Sequence, residues 1–442
     1  MPTRQKVLIV TLGLFIIASL FSITMVAAVI QVTPKNFQTK PAKVQQGNTV
    51  NFADQPVSVN SIKELKSMMK FYSKNNMTVS IQLNPGKYKI SESIKVPSCI
   101  TVEGTVFDNT LESTIDGQSE CTCFVLEGGS VNNLNIMDGY SNGAGGGVLI
   151  KNPEKKLSQS EVSNCIISGC TAFTGGGICV TTTSQCCIDD DVIINCTAAG
   201  GGGVYAGCKD PKNSNQLVSN CFITKCKATT AGGGILEYNE GSNSLIGTHA
   251  KVTLIGKISD TTETKTYNYS GMQLTDNICS YGIGGGACLI DSQMMGEITI
   301  DHNIAHDGGG IFLKSGGINV SNPQTSSLVV ITNNSALIAG GGVFAANSLI
   351  YGTHITTNNS VANVHGIYYG RNLYYTNIYS YNPTYGPLVD NCTISAGIYL
   401  GVRHYNDLKY FGKSIKAHNW IETGAPIILP PNKNKRTSMP YM

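Results

Sequence analysis

Arginine is nearly missing from this chain. There are four in 442 residues, and none between positions 5 and 370. Charge of either sign is scarce, with 13% Asp, Glu, Lys and Arg against roughly 25% in an ordinary soluble domain. The formal net charge is +3, which argues against nucleic acid as a partner, since a nucleic-acid binder needs a concentrated basic face. The surface must then be covered by uncharged polar groups, and Ser, Thr and Asn are plentiful. Apolar residues make up 41%, enough for a sizeable core.

Long uncharged apolar runs are absent from the body of the chain, but one stands at its start. Residues 7–30, "VLIVTLGLFIIASLFSITMVAAVI", carry no charge. At about 1.5 Å per residue, a helix of this length crosses a roughly 30 Å hydrocarbon layer. A cleaved secretory signal, with Ala28 as the small residue before the cut, is the rival reading. Signal cores usually run about 7–15 residues, so residues 1–34 are expected to form a retained signal-anchor with a transmembrane helix. Residues 35–60 follow as a linker. Arg4 and Lys6 on one flank are offset by Lys35, Lys40 and Lys43 on the other, so charge sets the orientation only weakly. Either reading sends the bulk of the chain across a membrane and predicts a single-pass protein with an exoplasmic body, at a cell or virion surface.

Glycine, by contrast, is abundant and ordered. Three-residue runs occur at Gly145, Gly175, Gly232, Gly284, Gly308 and Gly340, a run of four begins at Gly200, and a degenerate copy sits at Gly366. Most are 24 to 32 residues apart, and one gap of 52 suits two turns or one turn with an insertion. The residues upstream repeat too: "SNCIISGCTAFTGGG" and "SNCFITKCKATTAGGG" share a frame, with Asn303 and Asn334 standing where those copies have Cys170 and Cys226. A flexible linker lacks such a frame. A Walker loop needs Lys-Ser or Lys-Thr after its glycines, and collagen needs Gly at every third position. Between the runs lie short β-branched segments such as "GEITIDHN" and "SSLVVITNN", which read as strands. Short strands repeating every 25 to 30 residues predict stacked coils, a solenoid. Glycine then marks a tight corner where backbones approach closely, and Asn and Cys in register form inward columns.

The pattern N-x-A-x-x-x-GGG-[VI], as in Asn334 to Val343, resembles the GGA[ILV] repeat of polymorphic outer-membrane proteins, and more generally right-handed parallel β-helix proteins, over roughly residues 130–370. The paired FxxN element is irregular here. Only about 70 residues follow the last glycine run, too few for the C-terminal barrel of that family, so its outer-membrane insertion is not carried over. At the entry, "SIKELKSMMKFYSKNN" places Ile62, Leu65, Met68, Met69 and Tyr72 on one helical face. Followed by L-x-PG-x-Y and strands, it is similar to the start of pectate-lyase-type β-helices. An open solenoid end exposes apolar core and unpaired strand edges, so a capping helix is expected.

Chemistry-bearing clusters are few. β-Helices host polysaccharide lyases and hydrolases, but a lyase of that type would use a basic residue, typically arginine, and the coils have none. "CIDDDVI" supplies Asp189, Asp190 and Asp191 without the partner motifs of a polygalacturonase-like hydrolase, and three successive acids read as an exposed turn. "DHNIAHDGGG" supplies Asp301, His302, His306 and Asp307, read as a strand and a solvated corner with Asn303 as the ladder residue. Both clusters are the weak catalytic candidates, and no metal or cofactor is expected. Fifteen cysteines include the pairs Cys165/Cys170 and Cys221/Cys226, whose shared repeat position is explained by stacking rather than zinc. Disulfides remain open if the domain is exported. Sequons occur at Asn76, Asn195, Asn268, Asn319, Asn333, Asn358 and Asn391, glycosylation candidates if the chain enters a glycosylating lumen. Asn195 and Asn333 fall inside the repeat frame.

The expected fold is thus all-β, a right-handed parallel β-helix over residues 61–400 including its capping helix, with residues 401–442 as a C-terminal cap and basic tail. A tyrosine-rich stretch from Tyr368 fits a cap over the last coil or a binding surface. The function expected is structural or adhesive, towards glycans or surface proteins. The alternative is a polysaccharide-active lyase or hydrolase; the sequence leaves enzyme status undecided and leans away from it.

Overall fold

The structure is a computed structural model. It describes residues 56–151, 159–181, 186–208, 216–239, 244–247, 251–258, 264–314, 316–318 and 329–346, with shorter stretches from there to 422. The expected transmembrane segment and most of the linker lie outside the described residues. No helix among the described residues is long and apolar enough to cross a membrane.

Three parallel sheets of 12, 12 and 11 strands run through the described coils, with a shorter parallel sheet of six strands beside them. The chain visits them in turn, and each strand pairs with its counterpart one coil later. Ile166–Ser168 pairs in register with Asn135–Met137 before it and Val192–Ile194 after it. Stacking like on like lets one inward position repeat as a column. In the second sheet it reads Ile115, Ile136, Ile167, Ile193, Ile223, Leu274, Ile300 and Ile331, all of them fully buried. Each such side chain contributes roughly 1.5–3 kcal/mol by burial, so the stack is held mainly by these columns.

The glycine runs form a single column at one corner. Gly147 N–H donates to the Gly177 carbonyl, Gly177 to Gly203, Gly203 to Gly234, Gly234 to Gly285, Gly286 to Gly310 and Gly310 to Gly341, at 2.9–3.1 Å. Two demands at this corner exclude other residues. Gly201 has φ +65°, the left-handed region. A Cβ on Gly202 would lie 2.3 Å from the Gly233 carbonyl oxygen.

Two other corners use polar residues at positive φ instead. Asn133, Asn164, Asp190 and Asn220 turn the chain from the first sheet into the second. Asp138, Asn195, Lys225, Asp276, His302 and Asn333 turn it out of the second. Just beyond this second turn lies the inward column of Cys170, Cys196, Cys226, Asn277, Asn303, Asn334 and Asn359, each buried. In its asparagine part, the Oδ1 of Asn303, Asn334 and Asn359 each accepts the backbone N–H and the Nδ2 of the asparagine one coil earlier, at 2.9–3.0 Å, and Asn277 Oδ1 accepts the Cys226 N–H at 3.0 Å. Cys165 and Cys221 occupy a different inward column, at the turn just before the second sheet. The thirteen cysteines whose side chains are described form no disulfide with one another.

The helix α1 spans Ile62–Lys74, with Ser61 as its N-cap accepting the Glu64 N–H. Leu65 and Met69 are buried, and Ile62, Met68 and Tyr72 pack against the same core. Its contacts are with the strands of the first coils, Val57–Val59, Val79–Leu83, Ile94–Pro97 and Ile100–Gly104. The strand Val57–Val59 pairs with Val79–Leu83, so the first sheet begins three residues inside the stretch assigned to the linker.

The 52-residue gap is one turn with an insertion. Ile235–Asn239 pairs directly with Ala287–Ile290, and Ser244–Gly247 with Gln293–Gly296. The inserted residues form an antiparallel hairpin, Lys251–Lys257 with Thr264–Ser270, which runs back along the outside of the second sheet and bridges Thr110. Val252, Leu254, Ile258 and Tyr267 cover Leu111, Ile166, Val192 and Ile194. The Lys257 N–H donates to Asn135 Oδ1 at 3.0 Å, and the Tyr269 hydroxyl to the Asp191 carbonyl at 3.3 Å. The outer wall of these coils is apolar because another sheet lies on it.

Toward the C-terminus, Ile398–Gly401 pairs with Ile378–Tyr381, and Ile421–Glu422 adds to the second sheet. Most of the tyrosine-rich stretch and the basic tail lie outside the described residues.

Candidate functional site

The three successive aspartates are not an exposed turn. Asp190 takes φ +57° at the corner, which turns the next side chain inward. Asp191 therefore lands, fully buried, in the column of Leu134, Cys165 and Cys221. Its Oδ1 accepts the Cys165 N–H at 2.7 Å, while Oδ2 has no hydrogen-bond partner. Burial, with the charges of Asp189, Asp190 and Glu161, holds its carboxyl well above the usual range. Asp189 stays at the wall, accepting from the Ser219 hydroxyl and from Asn220 Nδ2. Asp190 is half-buried. Burial and then the Asp189 charge raise it to about 6, with Asn220 pulling the other way. Among the described residues no lysine or arginine opposes the rise of Asp190 or Asp191.

The second cluster is spread along a strand and its ends. His302 sits at the positive-φ turn and is exposed, its Nδ1 2.7 Å from Asp301. His306 lies four residues on, 3.0 Å from Asp307. Asp301 also accepts from Asn333 Nδ2 at 2.8 Å. Asn303 is the ladder residue, as expected. The two clusters are on different corners and three coils apart, so they do not converge. Among the described residues no group of three or more His, Cys, Asp or Glu side chains is placed to hold a metal ion.

Of the sequons, Asn76, Asn195 and Asn268 are exposed, and Asn333 is partly buried with its amide on Asp301. Asn319, Asn358 and Asn391 lie outside the described residues.

One unusual side chain has no sequence signal beyond its place in a repeat. Glu237 is fully buried at a core position between Ala206 and Leu289 of the flanking coils. Neither oxygen makes a hydrogen bond of ordinary geometry. Burial raises its carboxyl to about 8, and Ser292 is the one side chain opposing that rise. Counting two residues beyond the preceding glycine-run strand start, where Val180 and Ala206 stand, could have found it.

These stacked parallel sheets define a β-helix. Residues 146–325 match the family model for the right-handed β-helix region, which covers the coils from the first glycine run to beyond that at Gly308. Searches of curated proteins and of solved structures found no match.

Proposed function

We propose that the chain is a membrane-anchored surface β-helix with a structural or adhesive role, held by residues 7–30 and presenting its coils to glycans or surface proteins, with α1 as the cap of the solenoid. The observation that carries this reading is how the repeated polar groups are used: the inward asparagines and thiols, and the corner amides, are spent on neighbouring coils. The sparse charge and the 24-residue apolar run of the sequence support it further. The test is a glycan array with a parallel depolymerisation assay on the full chain, and alkaline extraction of membranes carrying it with and without residues 1–34. The reading expects binding without cleavage, and membrane retention that depends on the N-terminal run.

A polysaccharide-active enzyme is the second reading. It is favoured by Asp190, a half-buried carboxyl raised to about 6 beside Asp189, the range in which a general acid works. Cleavage of an acidic polysaccharide that disappears in Asp190→Asn would establish it in place of the first.

A further inference from the structure

A cleft lies away from both acidic clusters, at the N-terminal end of the solenoid. It has a volume of about 450 Å³ and lies between α1 and the turn after the strand Gly86–Lys89. Four lysines line it, Lys63, Lys66 and Lys70 from the helix and Lys89 from the strand, against one acid, Glu92. Steps of three and four residues put the helical lysines on one face, away from the buried Leu65 and Met69. Glu92 is engaged with Lys66 at 2.6 Å. Glu64, the only acid of the helix, accepts the Asn60 N–H at the N-terminus and does not face this charge off. Among the described residues, Lys63, Lys70 and Lys89 have no ion pair. Like charges at such spacing weaken a helix, and nothing in the packing of the coils requires them. In a chain with so little charge, this concentration stands out.

We propose that this cleft binds a sulfated polysaccharide. Lys63 and Lys70 are seven residues apart, about 10 Å along the helix axis, with Lys66 between them and Lys89 across the cleft. Such spacing suits successive anionic groups on a linear polymer better than a single oxyanion. Lysine acts as a hydrated point charge rather than a planar fork, which fits flexible sulfate groups. Nucleic acid is disfavoured, because the cleft has no guanidinium and no row of aromatic platforms for bases. The inference deepens the adhesive reading by naming a ligand class and moving its site from the side wall to the end. It is independent of membrane anchoring.

The experiment measures binding of the full chain to heparin-derived dodecasaccharide, to its desulfated form and to single-stranded oligo-dT. It uses wild type, Lys63→Ser/Lys70→Ser/Lys89→Ser, and a control, Lys225→Ser/Lys227→Ser/Lys251→Ser, with thermal melts to confirm folding. Expected are binding to the sulfated oligosaccharide that weakens with salt, a loss of about tenfold in the cleft variant, and no change in the control. Equal loss in both variants, an unaffected cleft variant, or equal binding of desulfated sugar or oligo-dT would overturn it. Binding of uncharged glycans on the array without sulfated ones would sink the cleft and leave the adhesive reading standing, whereas no glycan binding at all would remove the cleft together with the glycan-binding form of that reading.

Discussion

From Gly139 to Cys226 the inner corner of the coils is held by sulfur; from Asn277 to Asn359 it is held by amide. In the first region the Gly139 N–H donates to Cys170 Sγ at 3.4 Å, and the thiols of Cys170, Cys196 and Cys226 contact one another along the stack. Each thiol also points at its own strand's carbonyl two residues back, at 3.3–3.4 Å. In the second region the same place carries N–H···O bonds of 2.9–3.0 Å. Both fill the same space beside the third glycine of each run. A Cβ on Gly177 would meet Cys196 Sγ at 3.3 Å, and one on Gly286 would meet Asn303 Nδ2 at 3.0 Å. The position thus demands a small group able to accept a backbone N–H. Sulfur meets that demand weakly and amide strongly.

The glycines ought to be blind to this difference. Gly202→Ala in the thiol region and Gly285→Ala in the amide region each drive a Cβ to 2.3 Å from a carbonyl oxygen of the next coil. Both are expected to lose about 4 kcal/mol or more, read as loss of the cooperative thermal transition. A mild effect in one region alone would show that its corner is looser than drawn.

Glu237 sits at the junction of the two regions, and its effect on stability depends on pH. Its folded-state pKa of about 8 lies above the ordinary 4.5, so the native state holds the proton. Its contribution is fully present below about pH 4 and is lost as pH rises through 8. The difference is about 5 kcal/mol at 1.36 kcal/mol per unit. Asp190, at about 6, acts in the same direction. Melting temperatures between pH 5 and 9 should fall steeply in the native chain and much less in Glu237→Gln. A flat native profile would show that Glu237 has a cationic or solvent partner.

The two columns themselves should separate under single substitutions. Asn303→Leu orphans the Asn277 N–H, leaves the Asn277 side-chain amide with the Ile223 carbonyl alone, and strips the Leu274 carbonyl of the Asn303 amide, while the Asn334 acceptor keeps the backbone N–H of residue 303. Buried unpaired donors are worth about 1–3 kcal/mol each, so about 3 kcal/mol is expected in urea unfolding. Cys196→Ala removes a small apolar group and a weak acceptor and is expected to lose about 1 kcal/mol. Comparable losses at both sites would break the distinction between sulfur and amide rungs. The smallest effect is chemical: Cys170, Cys196 and Cys226, fully buried, should not react with a thiol reagent until the chain is unfolded.

Much of this was legible because it repeats. The glycine runs, the substitution of Asn303 and Asn334 for cysteine, and the apolar face of α1 are each written in spacing. The rest depends on contacts that spacing does not carry. The hairpin of residues 251–270 looks like any pair of strands, and only its partners, Leu111, Ile166 and Val192, more than fifty residues upstream, reveal it as a cover. Asp191 was misread because a positive φ at Asp190 decides which of three acids turns inward. Glu237 hides in a core column where charge is not expected. The lysine cleft needs the strand bearing Lys89 to be placed against the helix.

The account rests on each glycine run marking one coil in register. Spin labels placed through noncanonical residues at Thr101 with Glu161, Thr101 with Leu217, and Thr101 with Gln293 span two, four and six strands of the first sheet. At about 4.8 Å per strand, backbone separations of about 10, 19 and 29 Å are predicted, the last step equal to the one before it. A disproportionate last step, as an extra coil within the 52-residue gap would give, or separations that do not grow along the series, would contradict it.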